Sequence, residues 1–117
     1  MKTVLVVDDS SLMRRLIRNI LTKNGYEVVG EAMNGRLGVE KYKELRPDLV
    51  TLDMVMDEMN GLEALKLIKE ENPKANVIMV SSMGQEIIVR EAIMAGADNF
   101  LIKPFDENQV VEAINKL

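Results

Sequence analysis

Asp8, Asp9, Asp53, Ser81 and Lys103 each sit at or just past the C-terminal end of a short apolar run. Brought to one point, three carboxylates, a hydroxyl and an ammonium suit a divalent cation and a phosphoryl group. A carboxylate is a competent covalent acceptor of a phosphoryl group, and the transfer needs chiefly positioning and neutralisation of oxygen charge. Asp53 is the better acceptor on spacing, because it stands alone after its run while Asp8 and Asp9 form an adjacent pair able to hold metal. Charge makes the cation necessary. At about 5 Å and an effective dielectric of about 20, each pair of carboxylates repels by roughly 3 kcal/mol. Three carboxylates, Lys103 and one divalent metal sum to zero. Taken singly, an Asp after a strand is ordinarily a turn former, Ser81 a solvated hydroxyl and Lys103 a surface charge. Their coincidence at four strand ends gives the grouping its weight.

For these residues to meet, the elements that carry them must form an open parallel sheet. Short continuous apolar runs alternate with segments of helical period, the pattern of strand and helix units around such a sheet. Five units can be counted. Val4–Val7 reads as a buried strand, and Ser10 or Ser11 caps a helix with Leu12, Leu16, Ile17, Ile20 and Leu21 on one face, stopped by Asn24-Gly25. Glu27–Ala32 is polar enough for an edge strand, and Asn34-Gly35 opens a helix presenting Leu37, Tyr42 and Leu45 that ends before Pro47. Leu49–Leu52 is the third strand. Asn60 with Glu63 opens a helix with Leu62, Leu65 and Ile68 inward, closed by Asn72-Pro73. Val77–Val80 is the fourth strand, followed by a helix carrying Ile87, Ile88, Ala92 and Ile93 up to Gly96. Phe100–Ile102 is the fifth strand, and Asp106 with Gln109 opens a last helix bearing Val110, Ala113, Ile114 and Leu117. The expected fold is an α/β, doubly wound, flavodoxin-like parallel sheet of five βα units in strand order 2-1-3-4-5. Its ligand crevice would lie where strand order reverses, between strands one and three, with Asp8 and Asp9 facing Asp53.

The composition narrows the possibilities. The chain of 117 residues, 47% of them apolar, is expected to form a single domain over residues 1–117. It holds no run of apolar residues long enough for a membrane span and no leader-like start, and with no cysteine a cytoplasmic location is expected. A formal net charge of −4, with scattered basic residues, argues against general binding to nucleic acid or an anionic membrane. The chain has no histidine, which excludes histidine-dependent triads and imidazole metal sites. Oxygen-only ligation favours magnesium, manganese or calcium. The nine methionines read mainly as core filling, although Met54, Met56 and Met59 could shield one wall of the site.

With Val6-Val7-Asp8-Asp9-Ser10, Leu52-Asp53-Met54-Val55-Met56 leading to Asn60-Gly61, the Ser81-Ser82 pair and Lys103-Pro104-Phe105, the chain resembles the receiver domain of two-component response regulators, most closely the stand-alone chemotaxis receivers. The resemblance covers essentially the whole chain. It implies that Asp53 is phosphorylated by a partner histidine kinase. It further implies that Asp9, Asp53 and the backbone carbonyl of Val55 ligate Mg2+ (or Mn2+) directly, with Asp8 helping through water. Lys103 would hold a phosphoryl oxygen, Ser81 would be the switching hydroxyl, and Phe100 the aromatic residue that rotates inward. The Lys103–Pro104 bond is expected in cis. The output would be a changed surface on helix four, strand five and helix five of a monomer, read by a flagellar motor component or an adaptor. Asp57 stands where the family usually has proline; either this alters loop order or metal affinity, or Asp57 points to solvent with little effect, the second being the favoured reading, and apolar Val55 and Met83 point to slow self-dephosphorylation. Two other readings remain, a phosphorylation-independent pseudo-receiver and a flavodoxin-like nucleotide binder or phosphohydrolase. The acidic first loop, without a glycine-rich cradle, weighs against the second.

Overall fold

The computed structural model describes residues 2–56, 59–82 and 84–117. Strands and helices alternate along it: β1 (Thr3–Val7), α1 (Ser11–Lys23), β2 (Glu27–Ala32), α2 (Gly35–Leu45), β3 (Leu49–Asp53), α3 (Gly61–Glu71), β4 (Asn76–Ser81), α4 (Glu86–Met94), β5 (Asn99–Ile102) and α5 (Glu107–Asn115). The strands pair in parallel in the order β2-β1-β3-β4-β5, as expected from the sequence.

Alternation along the central strands splits the core into two layers, since successive side chains leave opposite faces of a strand. Leu5, Val7, Val50, Leu52, Val77 and Met79 meet α2, α3 and α4 through Val39, Tyr42, Ala64, Leu65, Ile68 and Ala92. On the other face Val4, Val6, Leu49, Ile78, Val80 and Leu101 meet α1 and α5 through Ile17, Ile20, Leu21, Val110, Ala113 and Ile114. Burying such strands on both faces leaves their polar ends as the only place for chemistry.

Most helix starts carry the caps read from the sequence. Ser10, Asn34, Asn60 and Asp106 each accept a hydrogen bond from a backbone N–H three residues on, and only Asp106 with Gln109 completes the reciprocal box. The pair Asn60 and Glu63 supplies the first half of a box through the Glu63 N–H. Helix α4 begins at Gln85 with no side-chain cap, and Ala92 is its one fully buried residue among those described.

Several apolar positions depart from expectation. Leu12 and Leu16 are exposed, because at about 100° per residue they lie roughly 140° and 100° around α1 from the buried Ile17. The same geometry turns Ile87 and Ile93 of α4 away from Ala92 into solvent. Leu117 lies beyond the end of α5 and is exposed. Met54 and Met56 are core residues, with Met59 packed against the same cluster, so they fill the layer beneath α3 and α4. Among the described residues no helix is long and apolar enough to cross a membrane.

Candidate functional site

The register of the sheet brings the five polar residues together. Asp53 ends β3 opposite Val80, and Ser81 ends β4 opposite Ile102 of β5, so the next residue, Lys103, leaves the sheet beside them. The Lys103 backbone N–H donates to the Ser81 carbonyl at 2.8 Å, continuing the ladder one step past the strand. The Lys103–Pro104 peptide is cis, as the resemblance implied. Across the switch point, Asp8 follows β1, and its backbone N–H donates to the Ala32 carbonyl of β2 at 3.0 Å.

Each carboxylate has a distinct environment. Asp8 is buried, with Oδ1 accepting from the Ser10 N–H at 2.9 Å and Oδ2 accepting from Lys103 Nζ at 3.2 Å. Asp53 is also buried and lies 3.6 Å from Lys103 Nζ through Oδ1, whereas Asp9 is exposed at the mouth. Burial, followed by the charge of Asp8, pushes the Asp53 carboxyl up to about 6, against the opposing pull of Lys103 and the Val55 N–H.

One carboxylate oxygen from each of Asp8, Asp9 and Asp53 lies within 4.8 Å of the other two. Three hard oxygen donors at that spacing, two of them buried and like-charged, match the demands of Mg2+ or Mn2+. The residues present therefore fit the metal expected of them.

Ser81 shares its face of β4 with Val77 and Met79 and is buried. Phe100 lies opposite Met79, half-buried, and packs against the core layer that contains Ala92 of α4. Ser81 and Phe100 are thus on adjacent strands, two residues apart in register, on the α4 side of the sheet. Asp57 and Met83, to which the sequence assigned modifying roles, lie outside the described residues. A cavity of about 650 Å³ between α3 and the end of α4, lined by residues including Lys66, Leu67 and Ala95, contains none of the five crevice residues.

The sequence reading assigned no role to two contributors, Gly61, which it quoted only as part of a motif, and Arg14. Gly61 lets the start of α3 press against the acceptor strand: a Cβ there would stand 2.2 Å from the Asp53 carbonyl oxygen and 2.6 Å from Met54 Cα. Its N–H donates to the Met54 carbonyl at 2.9 Å. Arg14 is the other, with Nη1 donating to the Asp8 carbonyl at 2.7 Å. The available signal was a basic residue in the first turn of α1, where the helix dipole disfavours it.

Comparison with known proteins agrees with this geometry. The response regulator receiver domain matches residues 4–115. The chemotaxis protein CheY of Thermotoga maritima is 56% identical over 116 residues, covering 99% of this chain and 97% of its own. CheY of Bacillus subtilis is 56% identical over 113 residues, covering 97% and 94%. A chain in the crystal structure of the CheX-CheY-BeF3-Mg+2 complex from Borrelia burgdorferi superposes with a TM-score of 0.95 at 36% identity, covering 97% of this chain and 86% of that one. A domain match over almost all the residues, on a sheet whose carboxyl edge gathers the acids and the lysine, makes this chain a member of the response regulator receiver domain family, closely matching CheY, a phosphorylation-activated chemotaxis switch and not a classical enzyme.

Proposed function

We propose that Asp53 accepts a phosphoryl group from a phosphohistidine on a partner histidine kinase in the cytoplasm, and that the acyl phosphate changes the α4, β5 and α5 surface of a monomer. The single observation that carries this is the meeting of buried Asp53 with Asp8, Asp9 and Lys103 at the sheet's switch point.

An Asp53 carboxylate oxygen forms the new bond to phosphorus as the nitrogen–phosphorus bond of the donor breaks, and the donor imidazole keeps the electron pair. Asp53 must be ionised to attack, and with its pKa near 6 it is mostly so at neutral pH. Asp8, Asp9, Asp53 and the Val55 backbone carbonyl would hold Mg2+. Bound there, the metal neutralises charge on the phosphoryl oxygens. Lys103 takes a second oxygen, and the Ser81 hydroxyl a third. Movement of Ser81 toward the phosphoryl group relaxes the packing that Phe100 meets on the α4 side, which favours rotation of Phe100 inward. Asp53 and its neighbours thereby take part in the domain's own phosphorylation and dephosphorylation, which apolar Val55 would slow by withholding a water-orienting side chain.

The downstream partner is a protein, such as a flagellar motor component or an adaptor. Support for this comes from the Borrelia burgdorferi structure, where CheY is in complex with CheX. Incubation with a small acyl-phosphate donor and Mg2+ should add one phosphoryl mass to the wild type and none to Asp53→Asn. Continued labelling of Asp53→Asn would overturn the assignment.

A further inference from the structure

Arg14 reaches back from the first turn of α1 to the acid crevice without touching any carboxylate there. Its Nη1 donates to the backbone carbonyl of Asp8, and its Nε donates to Glu31 Oε1 on β2 at 3.1 Å. The second oxygen of Glu31 accepts from Arg18 Nε at 2.7 Å, one helical turn further on. A relay runs from Arg18 through Glu31 and Arg14 to the peptide that joins Asp8 to Asp9.

That peptide determines how the pair is aimed. Its plane is rigid, so fixing the Asp8 carbonyl fixes the Asp9 nitrogen and the axis from which the Asp9 side chain departs. Asp8 is already held through its N–H and both carboxylate oxygens. Asp9 is exposed, and no hydrogen bond of its side chain is found among the described residues, so the preceding peptide is its main restraint. The relay also runs against local preference. Helices α3, α4 and α5 each carry an acid in the first turn, as the dipole favours, whereas α1 and α2 carry none and place Arg14 and Arg36 there respectively.

We propose that Arg14 is a positioning residue for the metal site, orienting Asp9 through the Asp8 carbonyl, and that Glu31 holds Arg14 in place. This rests on the reading of Asp8, Asp9 and Asp53 as metal ligands. Charge and positioning predict opposite signs. Removing a nearby cation, by itself, strengthens binding of Mg2+ to an acidic site, whereas loss of positioning weakens it.

The test is Mg2+ affinity by calorimetry on wild type, Arg14→Met, Arg14→Lys and Glu31→Gln, with thermal unfolding and the Asp9 amide resonance followed alongside. Arg14→Met should raise the Mg2+ dissociation constant by about tenfold, as loss of a group that supports metal ligands typically does. Glu31→Gln should raise it less. Arg14→Lys, which keeps a donor but loses the two-pronged grip, should fall between wild type and Arg14→Met, and carries the test if Arg14→Met does not fold. Unchanged or tighter Mg2+ binding in the Arg14 variants, with or without a lower unfolding temperature, would overturn the proposal. Absence of Mg2+ binding by the wild type would instead remove the metal-site reading itself, and this inference with it.

Discussion

The Lys103 ammonium stands 3.2 Å from Asp8 Oδ2 and so neutralises a carboxylate that is only 1% exposed. The same nitrogen lies 3.6 Å from Asp53 Oδ1. One lysine thus lies against two of the three acids, and its single charge leaves the crevice two charges negative and prepared for a divalent cation.

Replacing Lys103 by Met should destabilise the metal-free protein by about 3 kcal/mol, the usual cost of stranding a buried charge. It should also tighten Mg2+ binding by about tenfold, because a competing cation is gone. Urea unfolding with a chelator and calorimetry with Mg2+ check both. Weaker Mg2+ binding in Lys103→Met would contradict this electrostatic account.

The Asp53 carboxyl, raised from 3.8 to about 6 chiefly by burial and then by Asp8, makes metal-free stability depend on pH. A carboxyl with a raised pKa binds its proton more tightly in the folded state. Its protonation therefore favours folding below about pH 4, and that contribution is lost as pH climbs through about 6. Between pH 4 and 7 the loss attributable to Asp53 is on the order of 2–3 kcal/mol. Asp53→Asn should match wild type near pH 4 and exceed it in stability at pH 7 without metal. Equal stability of the two proteins at pH 7 would refute the expectation.

Gly61→Ala should disturb the acceptor directly, since the added methyl would meet backbone atoms of Asp53 and Met54, which cannot swing aside as a side chain can. We expect a loss of about 1–3 kcal/mol, the usual cost of overpacking, with weaker Mg2+ binding beside it. Alanine's better helix propensity, about 1 kcal/mol, offsets only part of this. Thermal unfolding and calorimetry measure both effects. A variant as stable as wild type would show that α3 can withdraw from β3 without penalty.

Thr51 offers a test with the opposite sign. It is buried in the central strand, and among the described residues its Oγ1 has no hydrogen-bond partner. Thr51→Val keeps the shape and removes a desolvated hydroxyl, so it should stabilise the protein by about 1 kcal/mol. A fall in the urea midpoint would mean that the hydroxyl finds a partner in solution.

The amino-acid order alone revealed the βα repeats and the five crevice residues, because continuous apolar runs, cap residues and polar strand ends are local signals; the strand order followed from the fold class those repeats implied. Asp53, Asp8, Asp9, Ser81 and Lys103 needed only the rule that parallel strands present their carboxyl ends together. Long-range approach decided the rest. Which leucines of α1 are buried depended on how that helix is rotated against the sheet, a property of packing that left Leu12 and Leu16 in water. That Gly61 abuts the Asp53 peptide, and that Arg14 grips the Asp8 carbonyl with Glu31 behind it, are meetings of separate elements. Residue type and spacing are written along the chain, whereas the aim of each acid depends on backbone contacts that exist only once the sheet and its helices have closed around them.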